Sequence, residues 1–376
     1  MKNQKRIIKI FVVVALIGAF IPSAFSQAKN EKRSFKSING KKIMEQDLED
    51  FLLHQIDSLT IPGLSFAYVN DGKVVFSKNF GVANLETQES VADSSLFDAA
   101  SISKTVFSFF VMQMVDKGLL NMDSPLYIYL ENPDIAYDER YKKITARMAL
   151  SHTTGFPNWR YLTENGYDPT AKLRIDFEPG TRYQYSGEGY QYLAQVMAHL
   201  LQTDMNGLQT IIKKTTFKPL KMGESSFVWN DYLEKNRVVG HIKGRTDAGY
   251  SANSKDPDFN AAASLQTNAI SYGNFLSALM SGKLLSATIQ KEMLSIQSER
   301  PATKSRPGVK YGFGIVIEPT FNGTNYGHSG DNNSATSQFL FNDKHKSGYV
   351  FFTNMEYTRK RIFDVNLKKF LLQKDQ

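Results

Sequence analysis

The chain is expected to fold as an α+β protein, with one antiparallel sheet formed from the N- and C-terminal segments, flanked by helices, and a mostly helical insertion between them. Three observations lead to this class. Two β-rich runs, residues 64–69 and 73–80, flank Asn70-Asp71-Gly72, the turn chemistry of a tight hairpin. Strand patterns return only after Lys310, at 311–317, 337–341 and 348–353, with turns at Asn322-Gly323 and Asn342-Asp343. Between these regions the apolar spacing is that of short helices separated by long polar loops. With 376 residues, 41% of them hydrophobic, the chain exceeds one typical domain. The expected division is a sheet domain from 44–118 and 300–376 and a helical insertion from 119–299.

Taken in order, Lys2, Lys5, Arg6 and Lys9 precede an apolar run over 10–21, followed by Pro22-Ser23-Ala24-Phe25-Ser26. The run is shorter than the roughly 20 residues a spanning helix needs, and the small residues Ala24 and Ser26 sit at alternate positions. This reads as a signal peptide over 1–26, and a retained anchor is the alternative. Residues 27–43 are polar and basic and read as a leader. From Met44, the positions Leu48, Phe51, Leu52 and Ile56 fit an amphipathic helix ending before Pro62-Gly63. The hairpin follows, and then a helix that is apolar on nearly every side from 106 to 115, as expected of one buried in a core. In the insertion, helical patterns occupy 145–151, 189–202, 208–212, 270–280 and 289–296, and the long loops 162–178 and 230–260 suggest lids over a site. A last helix over 361–372 places Phe363, Leu367, Phe370 and Leu371 on one face.

The formal charge of +8 overstates the basic character of the fold. The first 26 residues hold four basic side chains and no acidic one, which leaves +4 on the rest. The remaining basic residues are scattered without a continuous stripe, so nucleic acid is not an expected partner. Cysteine is absent, which excludes thiolate catalysis, disulfides and cysteine-ligated metals. The histidines other than His152 and His328 show no metal-site spacing, and no cofactor is implied.

Three short stretches carry chemistry. In the first, Ser101 lies three residues before Lys104 at the start of the buried helix. An ammonium there loses hydration, and a hydroxyl one turn back would sit beside it. An ordinary N-cap serine and a lysine reaching for water are the bland alternatives. The second is Tyr183-Gln184-Tyr185-Ser186-Gly187-Glu188-Gly189, which places Tyr185 at a helix entrance. The third is Tyr326-Gly327-His328-Ser329-Gly330-Asp331, at the approach to a strand, where glycines let a backbone come close to a ligand. It nearly spells a nucleophile elbow, but Asp331 stands where the last glycine belongs.

In this order, Ser101-x-x-Lys104, Tyr185-Ser186-Gly187 and His328-Ser329-Gly330 resemble the three motifs of the serine β-lactamase and penicillin-binding superfamily, in its class C β-lactamase-related branch. That branch includes D,D-carboxypeptidases, D-aminopeptidases and class VIII esterases. Gly118-Leu119-Leu120, Asp123-Ser124-Pro125 and Leu150-Ser151-His152-Thr153-Thr154-Gly155-Phe156-Pro157 are also similar to family blocks, so the resemblance runs from about Met44 to the last helix. It implies a β-lactamase/transpeptidase-like fold and an exported, periplasmic or secreted bacterial serine hydrolase that forms an acyl-enzyme. The substrates implied are small esters, D-amino-acid peptides or β-lactam-like amides, including molecules derived from peptidoglycan. The alternative is a catalytically weak protein that binds cell-wall fragments. No stable membrane insertion is expected after signal cleavage.

The roles implied are specific. Ser101 would be the nucleophile. Lys104 would polarise it and hold Tyr185 partly ionised, and Tyr185 would move the proton to the leaving group. His328, Ser329 and Gly330 would wall the substrate, and the backbone N–H groups of Ser101 and Asp331 would form the oxyanion hole. Two departures bear on substrate. Gly187 stands where much of the family has Asn, whose amide would contact a substrate amide, unless Glu188 or a loop residue substitutes. His328 replaces Lys, so its charge would vary near neutral pH. His152, in the Ser-His-Thr-Thr-Gly block, is expected to be structural.

Overall fold

The computed structural model describes residues 33–247, 258–304 and 307–372. The signal segment 1–26 lies outside them. Strands β1 (Ser34–Lys36) and β2 (Lys42–Met44) lead into helix α1 (Glu45–Leu59). Next come β3 (Gly63–Asn70), β4 (Lys73–Asn84), β5 (Glu89–Ser90), β6 (Phe97–Asp98) and helix α2 (Ser103–Asp116). The middle of the chain holds α3 (Ala146–Leu150), the short pair β7 (Leu162–Thr163) and β8 (Gly166–Tyr167), and α4 (Gly187–Leu200). It continues with β9 (His241–Ile242), β10 (Arg245–Thr246), β11 (Gln266–Thr267), α5 (Ala269–Ser281) and α6 (Ala287–Met293). The last part supplies β12 (Ser298–Arg300), β13 (Val309–Tyr311), β14 (Val316–Thr320), β15 (Gly323–Asp331), β16 (Thr336–Asn342), β17 (Ser347–Thr353) and α7 (Tyr357–Leu372).

Nine strands form one antiparallel sheet in the order β12-β13-β14-β15-β16-β17-β3-β4-β5, and the seam between the two chain ends is the β17–β3 pair. Asp71 and Gly72 both have positive φ, the conformation a two-residue hairpin between β3 and β4 demands. Every residue of β3, β16 and β17 is buried, because helices cover both faces of the sheet. On one face Leu64, Phe66, Tyr68, Tyr349 and Phe351 pack with Leu48 and Leu52 of α1 and Phe363 and Leu367 of α7. On the other, Ala67, Val69, Val350 and Phe352 belong to a larger core with Val106, Phe107, Phe109 and Phe110 of α2. The α+β expectation and the all-round burial of the Ser101 helix are both met: every residue from Ser103 to Met114 is buried.

Three features differ from the sequence reading. Residues 33–43, expected within a leader, form the β1–β2 hairpin, which buries Phe35, Ile38 and Ile43 beside α1. The strand expected over 311–317 is interrupted at 312–315. There Gly314 has φ +73° and its carbonyl accepts a 2.6 Å hydrogen bond from the Thr105 hydroxyl on α2. Finally, α5, assigned by the sequence to the insertion, lies on the sheet. The Ser65 hydroxyl accepts its Ala269 N–H at 3.1 Å, and a β-carbon on Gly273 would sit 3.0 Å from Val74 and 3.3 Å from Ala67.

The contact at Gly314 joins the sheet to the helix that carries Lys104. A β-carbon there would lie 2.8 Å from the Lys104 carbonyl oxygen, in a backbone conformation side chains disfavour. Gly314→Ala is therefore expected to lower stability by about 1–3 kcal/mol in a denaturant melt, and an unchanged midpoint would contradict the contact.

Candidate active site

The turn that carries Ser101 is held from several parts of the chain. Ala100–Ile102 form a 3₁₀ turn that runs directly into α2, and Ala100 has φ +46°. An alanine in the left-handed region costs roughly 1–2 kcal/mol, so the surroundings must hold it there. They do so at several points. Asp98 Oδ1 accepts the Ala100 N–H at 2.7 Å, and Asp98 Oδ2 accepts from Asn332 Nδ2 at 2.7 Å. The Ala99 carbonyl accepts from the Ser337 hydroxyl at 2.6 Å, and the Ala99 N–H donates to the Leu265 carbonyl at 2.8 Å. The turn is thus tied to β15–β16 on one side and to the β11 approach on the other.

Lys104 is 1% exposed, and its Nζ lies 3.4 Å from Ser101 Oγ and donates to the Ala262 carbonyl at 2.9 Å. Its Nζ stands 4.6 Å from the centre of the Tyr185 ring and 5.7 Å from that of Tyr190. Burial lowers the amine from its ordinary 10.5 to about 7. Burial also raises the Tyr185 phenol above its usual range, partly offset by the nearby Ser101 hydroxyl. The expected pairing of a charged Lys104 with a partly ionised Tyr185 is therefore reversed. Lys104 meets the face of the phenol ring rather than its oxygen, and above about pH 7 the neutral amine is the stronger base of the two.

The third motif lies on β15. This strand pairs with β16 through Asp331↔Thr336, but its pairing with β14 stops at Val316↔Gly327. Among the described residues, 328–331 consequently have no strand neighbour on the edge that reaches the Ser101 turn. Gly330 must be a glycine, since a β-carbon would run into the Ala99 carbonyl and the Ser337 hydroxyl. His328 is 8% exposed, with Nδ1 2.9 Å from the Ser329 carbonyl and Nε2 2.9 Å from the Tyr311 hydroxyl. Both contacts are satisfied together when Nδ1–H donates and the Tyr311 O–H donates to Nε2. Burial, and then the Lys104 charge, lower His328 to about 3, so it is neutral at physiological pH instead of titrating there as expected.

His152 brackets Tyr185 from behind. Its carbonyl accepts the Gln184 N–H at 2.8 Å, its Nδ1 accepts the Ser186 N–H at 3.0 Å, and its ring centre is 4.3 Å from that of Tyr185. These bonds hold the turn that carries Tyr185. Ser186 caps α4: its hydroxyl accepts the Gly189 N–H at 3.0 Å and donates to the Pro157 carbonyl at 2.9 Å.

A beta-lactamase family model matches residues 43–372. The chain belongs to the beta-lactamase family. It is 21% identical over 213 residues to Protein flp of Staphylococcus aureus (strain NCTC 8325 / PS 47), a match covering 54% of this chain and 42% of that protein. The chain therefore spans less than half the length of that curated relative. It is 24% identical over 310 residues to the putative penicillin-binding protein PbpX of Bacillus subtilis (strain 168), covering 76% of this chain and 75% of that one. Among solved structures, a class C beta-lactamase superposes with a TM-score of 0.70 at 19% identity, over 88% of this chain and 96% of that chain, a likeness of fold.

Within this beta-lactamase-family site, Ser101, Lys104, Tyr185, His328 and Gly330 are brought together. Glu188 is not available to replace the missing Asn: Arg160 grips its carboxylate through Nε at 3.0 Å and Nη2 at 2.8 Å, and the Arg160 N–H adds a 2.9 Å bond. Gly187 is closed by Trp159, whose ring atoms would lie 2.5–2.8 Å from a β-carbon there. Sequence reasoning missed Asp98, Asn332, Trp159 and Ala262. Nothing local marks the last, which acts through its carbonyl. Beside the site a cavity of about 1070 Å³ is bordered by Asp98, Asn332 and Ser264, with Leu162 and Tyr167 from one expected lid loop and Leu233 and Ile242 from the other. Residues 248–257 of the second loop lie outside the described residues.

The buried amine sets two pH dependences. Reaction of Ser101 with a fluorophosphonate is expected to rise as pH passes about 7 and then level off, as Lys104 loses its proton. In the unfolded chain Lys104 keeps its proton up to about 10.5, so its burial weighs on stability fully below pH 7 and progressively less between 7 and 10.5. The melting-temperature advantage of Lys104→Met over the native chain is expected to shrink across that window. An advantage independent of pH would mean that the amine titrates normally in the fold.

Proposed function

We propose that the protein is a serine hydrolase that forms an acyl-enzyme on Ser101, and that small esters are its best-fitting substrates, ahead of D-amino-acid peptides and β-lactam-like amides. The observation that carries this reading is the neutral-capable, buried Lys104 amine 3.4 Å from Ser101 Oγ. With one N–H committed to the Ala262 carbonyl, the amine lone pair can receive the Ser101 proton as Oγ attacks a carbonyl. The contact is longer than a productive hydrogen bond, as is common before substrate binds. The oxyanion would face the backbone N–H groups of Ser101 and Asp331, where each donor of this kind contributes about 10² to 10³ in rate. The proton then passes from Lys104 to the leaving alkoxide, with the ring face of Tyr185 closing the amine off from water. Water cleaves the acyl-enzyme by the same route in reverse.

Esters come first because two anchors for other substrates are missing. His328 is neutral and carries no fixed charge for a substrate carboxylate, and Gly187 has no side chain to meet a substrate amide. We also propose export: the basic residues and short apolar run that open the chain support it, and among the described residues no helix is long and apolar enough to cross a membrane.

Two measurements test these readings. Incubation with a fluorophosphonate is expected to add one label per chain at Ser101, with label and p-nitrophenyl acetate hydrolysis both lost in Ser101→Ala. Retention of a ligand without turnover, unchanged in that variant, would instead favour a binding protein for cell-wall fragments. The protein recovered from a bacterial periplasm or medium is expected to begin at Gln27, and an intact Met1 there would rule out cleavage.

A further inference from the structure

Gly187 opens α4 two residues after Tyr185, and the space its side chain would enter is filled. A β-carbon there would lie 2.5, 2.7 and 2.8 Å from three carbons of the six-membered ring of Trp159. We propose that Trp159 takes over this position from an amide-bearing side chain, and that it selects substrates with a flat aryl group on the acyl side of the scissile carbonyl. This rests on the Ser101 hydrolase reading and names its substrate class.

Trp159 is firmly held. The residue before it, Asn158, accepts the Gly187 N–H with both its carbonyl, at 2.9 Å, and its Oδ1, at 3.0 Å. The residue after it, Arg160, binds Glu188 through its backbone and its guanidinium, and reaches Asp134 at 2.6 Å. Glu188 is 6% exposed, so this ion pair is shielded on its carboxylate side and screened little by salt. Both neighbours of the tryptophan are therefore fastened to the first turn of α4, and the indole has little freedom to leave Gly187.

The ring also continues into a surface. Trp159 stacks on Tyr161 with centres 6.1 Å apart and planes within 7°, and Tyr161 meets Tyr167 at 5.6 Å. Tyr161, Tyr167, Phe227 and Trp229 all line the cavity beside the nucleophile turn. An amide side chain at 187 would offer a donor and an acceptor to a substrate amide. The indole offers a half-buried π surface, whose favourable partners are aryl and other flat apolar groups. Since Glu188 is engaged by Arg160, no neighbouring carboxylate restores the polar contact.

The test compares p-nitrophenyl phenylacetate with p-nitrophenyl acetate, which share a leaving group and differ only on the acyl side. The native enzyme is expected to favour the phenylacetate in kcat/KM. Trp159→Ala should lose about tenfold of that preference, the upper range of an aromatic contact. Trp159→Phe, which keeps a ring, should retain most of the preference. An unchanged ratio in Trp159→Ala, or an equal loss in Trp159→Phe, overturns the assignment while leaving the Ser101 reading intact. If Trp159→Ala does not fold, inhibition of the native enzyme decides: phenylboronic acid should bind about tenfold more tightly than methylboronic acid, and equal inhibition overturns the assignment. Failure to hydrolyse either ester, or hydrolysis that persists in Ser101→Ala, removes the hydrolase reading and this inference with it.

Discussion

Everything in the site depends on keeping one amine dry. Lys104 sits on the first turn of a helix buried on all sides, where water cannot solvate a charge, and among the described residues its close polar partners are the Ala262 carbonyl and the Ser101 hydroxyl. A carbonyl can accept one N–H but cannot neutralise a charge, so the proton is held loosely and the amine falls to about 7. Among the described residues no carboxylate pairs with it, and one would undo this by holding the proton in place. Tyr185 and Tyr190 enclose it with ring faces, which exclude water without supplying a negative group. A base near neutrality is thus obtained from desolvation, which costs stability elsewhere in the fold.

The cost is met by the way the Ser101 turn is fastened. Asp98 receives the Ala100 N–H and the Asn332 side chain, Ser337 closes on Ala99, and the β6–β11 pair delivers the 262–267 segment beside α2. These contacts come from three distant parts of the chain, and they give buried groups such as the Asp98 carboxylate and the Ser337 hydroxyl the partners that water cannot supply there. They allow Ala100 to stay at a positive φ, and Gly314 and Gly330 let the sheet approach closely enough to make the joints.

Much of this was legible from residues alone, for identifiable reasons. The hairpin turn at Asp71-Gly72, the all-round apolar helix after Lys104 and the paired chain ends are encoded locally, in turn chemistry and periodicity. Ser101, Lys104, Tyr185 and His328 could be picked out because each is a chemically distinctive residue in a distinctive short context. What escaped is what has no local signature. The β1–β2 hairpin is short and polar in sequence, and only its packing on α1 makes Phe35 and Ile43 core residues. The protonation states of Tyr185 and His328 follow from burial, which a sequence does not display, so both were assigned more charge than the fold permits. Trp159 lies 28 residues before Gly187, and only the fold shows that one fills the space the other leaves.

That last relation bears on how the glycine should be understood. A glycine in place of an asparagine reads as a deletion, a site that has lost a contact. In the folded chain the position is occupied, and Arg160 is committed to Glu188 in a way that fixes the occupant. Restoring the asparagine alone would drive its β-carbon into the indole, so the two positions must change together, and residues 158–160 with them. The clamp, the ring and the glycine form one unit. Together with a neutral His328 they would make the site we propose, one that recognises shape and aromatic surface in place of charge.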